Sequence, residues 1–130
     1  MFSQYVYIST APGISADEVK AIQELSASNN AEKAITGILL YNGRNFLQLL
    51  EGETAKVDAL VAKIEADPRH DGFSILHQAQ LDERICPQWG MKWVKIAESV
   101  GIRRDLLDKD LPEGLEPHVR TMILNFAMLN

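Results

Sequence analysis

Gln48 stands inside the apolar run Phe46-Leu47-Gln48-Leu49-Leu50. A buried amide left without partners costs about 1–3 kcal/mol. Something must therefore meet its carbonyl and its NH2. Either nearby backbone does so, or Gln48 faces a ligand pocket as a hydrogen-bond switch. A second amide group falls at Asn29-Asn30. The helical stripe Val19, Ile22, Leu25 reaches Asn29 at its next step. The end of that helix thus turns an amide toward the core side. The same two residues could also form a helix C-cap, because Asn tolerates left-handed geometry.

Other reactive residues lack the spacing that chemistry needs. His70, His77 and His118 show no metal-ligand spacing and no HExxH pattern. There is no GxGxxG or GxxxxGK[ST] loop, and no serine sits in a nucleophile elbow. Glu51 and Glu53 flank Gly52 and read as caps for the helix that follows. Cys86 is the single cysteine, so one chain can form neither a disulfide nor a thiolate metal site. With only Arg84 as a basic neighbour, it reads as a loop or packing residue. The expectation is a protein that is not an enzyme.

The elements that position these groups fit one domain of 130 residues. Hydrophobic residues make up 46% and charged residues 24%, an ordinary globular balance. The net charge of −5 argues against binding nucleic-acid phosphates, which needs clustered Lys and Arg. The start, MFSQYVYIST, lacks the basic and long apolar segments of a secretory signal, and no run is long enough to span a membrane. A cytoplasmic location is expected.

Phe2–Ser9 reads as a strand. Ser15 and Glu18 form a capping box for the first helix. Strands at about Ile35–Tyr41 and Asn45–Leu50 flank Asn42-Gly43, a dipeptide suited to a two-residue hairpin loop. That loop would pair Gln48 with Gly37. A second helix runs from Thr54 to Ala66 on the stripe Val57, Leu60, Val61, Ile64. Asp67-Pro68 ends it. Phe73–Gln80 and Trp89–Ile96 read as further strands. A short helical piece around Arg104–Leu107 precedes a last helix opened by Pro117, with Val119, Met122, Ile123, Phe126 and Leu129 on one face. The order implies an α+β, ferredoxin-like fold with a five-stranded mixed sheet. The first two helices would cover one face and the C-terminal helices the other.

Taken as a set, several segments resemble the BLUF domains, blue-light sensors that use flavin. They are Tyr7 in YVYIS, Asn29-Asn30, ITGILLY, FLQLLEG, Asp67-Pro68-Arg69-His70 and Trp89-Gly90-Met91. The match spans about residues 2 to 97, in order. It divides the chain into a flavin-binding core, 1–97, and a C-terminal helical extension, 98–130. Departures are Ala27 after Ser26, Ala34 where the family has Gly, Cys86 at a common aromatic position, and Gly90 for Ser.

The resemblance implies non-covalent FAD between the two long helices. The matches for Asn29 and Asn30 bind the polar edge of the ring. Those for Arg69 and His70 lie near the ring and the ribityl chain. Tyr7 and Gln48 match a hydrogen-bonded photochemical pair, in which Tyr7 gives an electron and a proton and Gln48 rearranges. Trp89 and Met91 match the residues that relay the change. The function implied is a blue-light photoreceptor acting through a downstream partner protein or a change of homo-oligomer. The alternatives are a ferredoxin-like binding or oligomerisation module without photochemistry, and a small flavin enzyme.

Overall fold

Aromatic and β-branched residues dominate the first strand, and the next two strands in the chain are apolar on both faces. Such segments are stable only in the middle of a covered sheet. A computed structural model describes residues 1–10, 17, 18, 21, 34–41, 45–66, 71–85, 92–95, 111 and 114–128, and only the backbone at 71, 92–95, 127 and 128. The strands are β1 (Phe2–Thr10), β2 (Thr36–Tyr41), β3 (Asn45–Glu53), β4 (Asp71–Leu81) and β5 (Lys92–Lys95). Among the described residues, the helices with both ends defined are α1 (Thr54–Glu65) and α2 (Pro117–Met128). The sheet order is β4-β1-β3-β2-β5. Its first four strands pair antiparallel, which is the ferredoxin-like arrangement, and β5 joins β2 in parallel.

Alternation along the strands splits the core in two. One face carries Tyr5, Leu39, Tyr41, Phe46 and Leu50 against Val57 and Val61 of α1. The other carries Val6, Ile38, Leu40, Leu47 and Leu49 against Val119, Ile123 and Phe126 of α2. Asp17, Glu18 and Ala21 are helical. Burial raises the Tyr41 phenol above its ordinary pKa, and the charge of Glu18 adds to this. The remainder of the expected first helix, the piece around Arg104–Leu107 and Leu129 lie outside the described residues.

The hairpin departs from the two-residue loop. Tyr41 pairs with Phe46, so Gln48 stands opposite Leu39 and Gly37 opposite Leu50. The shift is two residues, which keeps every side chain on its original face. Hydrophobic alternation therefore could not distinguish the two registers. Gly37 is still required, because a Cβ there would collide with the Leu49 carbonyl oxygen.

Glu51 is a second correction. It does not cap α1 but is fully buried on β3. Its Oε1 accepts hydrogen bonds from Arg84 Nε and the Ile85 amide, each at 2.9 Å, and its Oε2 from Gln4 Nε2 at 3.0 Å. Glu53 takes the N-cap position without a side-chain cap bond. It pairs instead with exposed Lys56 at 3.4 Å.

Candidate functional site

The β1–β3 register places Tyr7 directly opposite Gln48. Both belong to the face that carries Tyr5, Phe46 and Leu50, because side chains two apart on a strand share a face. Both are buried, at 6% and 5% exposure. The Tyr7 hydroxyl donates a hydrogen bond to Gln48 Oε1. The cost of burying that amide is thus offset by a phenol and not by backbone alone. On its other side the Tyr7 ring lies 4.8 Å from Phe73 of β4, tilted by 31°.

A break in the β1–β4 ladder falls beside the pair. Val6 is opposite His77, but Tyr7 is opposite Ile75, so β4 carries one extra residue there. Such a bulge increases local twist and re-aims side chains. A second irregularity falls between Ile8 and Thr10, next to Gly72, whose φ is 61°. Together they set β4 to bring Phe73 onto Tyr7.

Around the pair the surface is aromatic and apolar, with one further polar chain. Tyr5 donates to Asp58 Oδ1 at 2.6 Å and accepts from Gln78 Nε2 at 3.0 Å. Burial, the Asp58 hydrogen bond and the Asp58 charge push the Tyr5 phenol up to about 12. It is therefore fixed as a neutral donor at physiological pH. Tyr41 and Phe46 stack at 4.6 Å.

Of the residues singled out from the sequence, Tyr7 and Gln48 are brought together. Asn29, Asn30, Arg69, His70, Trp89 and Met91 lie outside the described residues. The sequence reading missed two groupings. One is the Gln4–Glu51–Arg84 cluster, whose only signal was a carboxylate inside an apolar strand. The other joins His77 to His118, whose Nδ1 and Nε2 atoms lie 3.0 Å apart. They are 41 positions apart in the chain, so spacing along the sequence could not reveal them.

The family model described as "BLUF: Sensors of blue-light using FAD" matches residues 2–92. The chain belongs to the BLUF family of flavin-binding, blue-light sensor domains. It is 37% identical over 86 residues to the photoactivated adenylate cyclase subunit beta of Euglena gracilis, covering 65% of this chain and 10% of that protein. The chain thus spans about a tenth of the length of such curated relatives. Among solved structures it resembles the dark state of the BLUF protein BlrB, at 31% identity and a TM-score of 0.74, covering 98% of this chain and 97% of that one. It also resembles Klebsiella pneumoniae BlrP1 with FMN and cyclic diGMP, at 26% identity and a TM-score of 0.81, covering 98% and 34%.

The described residues fit a flavin. Its ring needs a flat apolar surface with polar partners at one edge. The sheet face offers Leu39, Tyr41, Phe46 and Leu50, and the buried phenol–amide pair interrupts that surface. Val57 and Val61 of α1 pack on this face.

Proposed function

We propose that this chain is a blue-light photoreceptor that holds FAD non-covalently and signals through the Tyr7–Gln48 pair. The observation that carries the reading is the hydrogen bond from a buried phenol to a buried amide on an otherwise apolar sheet face. When bound, the flavin supplies absorption of blue light and an excited state that accepts an electron. Tyr7 is the donor. Its phenolic proton already points at Gln48 Oε1, so electron loss and proton release are coupled along one bond. The electron and the proton then return to Tyr7, leaving Gln48 rotated or tautomerised, so that it presents a donor where it had presented an acceptor. The low dielectric of the buried site makes that reversal count for more than it would in water.

Asn29 and Asn30 are the proposed partners of the polar ring edge, with Arg69 and His70 nearer the ribityl chain. Trp89 and Met91 relay the change of the Gln48 amide. Residues 1–97 form the flavin-binding core and 98–130 an extension that transmits or receives the signal. The output is a population shift, read by a partner protein, by a linked effector or by a change of homo-oligomer. The cytoplasm is the proposed location, and among the described residues no helix is long and apolar enough to cross a membrane. The sensor has no catalytic activity of its own.

The test is spectroscopic. Purified protein should be yellow and should shift slightly to the red after blue light, returning in the dark. Chromatography of the flavin released on denaturation should give FAD. Protein that stays colourless with added flavin would favour a binding module without photochemistry. Steady NADH oxidation would favour a flavin enzyme.

A further inference from the structure

β4 and α2 meet at a cluster of ligand-type side chains that the photoreceptor reading does not use. His77 is opposite Val6, on the sheet face that α2 covers. Glu116 stands immediately before α2, and His118 lies in its first turn. His77 Nδ1 is 3.0 Å from His118 Nε2. His118 Nδ1 is 3.2 Å from Glu116 Oε2. One ligand atom from each of the three residues lies within 4.8 Å of the other two. His77 Nε2 is buried with no partner among the described residues. Nδ1 is therefore the nitrogen that His77 presents.

We propose that His77, His118 and Glu116 form a binding site for a divalent transition-metal ion of the zinc type, which ties the edge strand to the start of the C-terminal helix. Two imidazole nitrogens and one carboxylate are a donor set that zinc favours, with water in the fourth position. Calcium and magnesium prefer all-oxygen sets. Zn–N bonds of about 2.0–2.1 Å in a tetrahedron put neighbouring ligand atoms roughly 3.3 Å apart. The two histidines are already close to that separation. Glu116 and His118 have side chains 45% and 55% exposed, so both can turn toward a shared ion and both are open to solvent.

The electrostatics are compatible. Burial, and then the neighbouring His118, lower the His77 pKa, while Glu116 opposes this. A neutral ring with an available lone pair is the form that binds metal. The positive end of α2 disfavours a cation, and the Glu116 carboxylate offsets that.

The experiment uses the whole chain without a polyhistidine tag, stripped of metal. Zn2+ is titrated against a chromophoric chelator, and the melting temperature is recorded with and without Zn2+. One equivalent per chain should bind, and Zn2+ but not Mg2+ should raise the melting temperature. His118→Ala and Glu116→Gln, both at half-exposed positions, should each weaken Zn2+ binding by at least about 10-fold. Their metal-free melting temperature and flavin content should stay unchanged. His77→Ala should behave alike at the strand. Absence of stoichiometric binding, or wild-type affinity in His118→Ala, would overturn the site. No readout depends on light, so the result stands apart from the photochemical proposal.

Discussion

Tyr7 and Gln48 are cross-strand partners, and the hydroxyl of the first donates to the carbonyl oxygen of the second. A phenol so placed has a ready path for its proton. A cross-strand pair is also held by two backbones at once, so its geometry is fixed before any ligand arrives. Tyr7→Phe keeps the ring and its 4.8 Å contact with Phe73 but removes the proton and the donor. The protein should fold and load flavin normally. It should show no light-induced red shift in an absorption difference spectrum, and a wild-type shift would remove Tyr7 from the mechanism.

Asn30→Ala should weaken flavin binding more than it weakens the fold. The amide is proposed to bond the ring edge, each such bond being worth about 0.5–1.5 kcal/mol net. Flavin stoichiometry should fall while the melting temperature of flavin-free protein holds. Full loading with unchanged affinity would leave Asn30 as a helix cap.

Much of this architecture was legible in the sequence because β2 and β3 are continuous apolar runs and β1 is rich in aromatic and β-branched residues. Gln48 stood out because it broke an apolar strand. What stayed hidden depends on distances that alternation does not encode. The hairpin register moved by two residues without turning any side chain over. Glu51 read as a helix cap because Gly52 and Thr54 follow it, yet the strand runs on to Glu53 and carries Glu51 into the core. There Arg84, 33 positions away, meets it.

Ala34 offers a test of local strain. Its φ of 55° lies in the left-handed region, which costs an L-residue roughly 1–2 kcal/mol. It occupies the position where the family pattern has glycine. Its carbonyl is held by Arg84 Nη1 at 3.1 Å, so the turn cannot simply relax. Ala34→Gly should relieve the strain, while the freer unfolded chain takes back about 0.4–1 kcal/mol. A net gain of about 0–1.6 kcal/mol is expected, read as a higher midpoint in urea. A lower midpoint would show that the Ala34 conformation is not strained.

Arg84 should be far more sensitive. Its guanidinium serves the fully buried Glu51 and also bonds Thr36 Oγ1 at 2.5 Å. Arg84→Met leaves a buried carboxylate without its counter-charge, a loss of about 3–5 kcal/mol. The double variant Glu51→Gln, Arg84→Met removes both charges and should recover much of that loss. Additive losses in thermal melts of the two single variants and the double would mean that the pair is not coupled.

Gln48→Leu separates the switch from the fold. Leucine nearly preserves volume, and the position is flanked by Leu47 and Leu49, so the strand should keep its packing. The Tyr7 hydroxyl loses its Gln48 acceptor, so stability should fall by up to about 1–3 kcal/mol. Flavin should remain bound, because Asn29, Asn30 and Arg69 are untouched. Electron donation from Tyr7 is still open to it, but no side chain at position 48 can then exchange an acceptor for a donor. Blue light should therefore give no stable red-shifted form. The measurement pairs the absorption difference spectrum with infrared detection of the flavin C4 carbonyl stretch. If Gln48→Leu shows both the red shift and the carbonyl downshift of the wild type, the amide is not the switch, and the donor that strengthens the bond to that carbonyl must come from another residue.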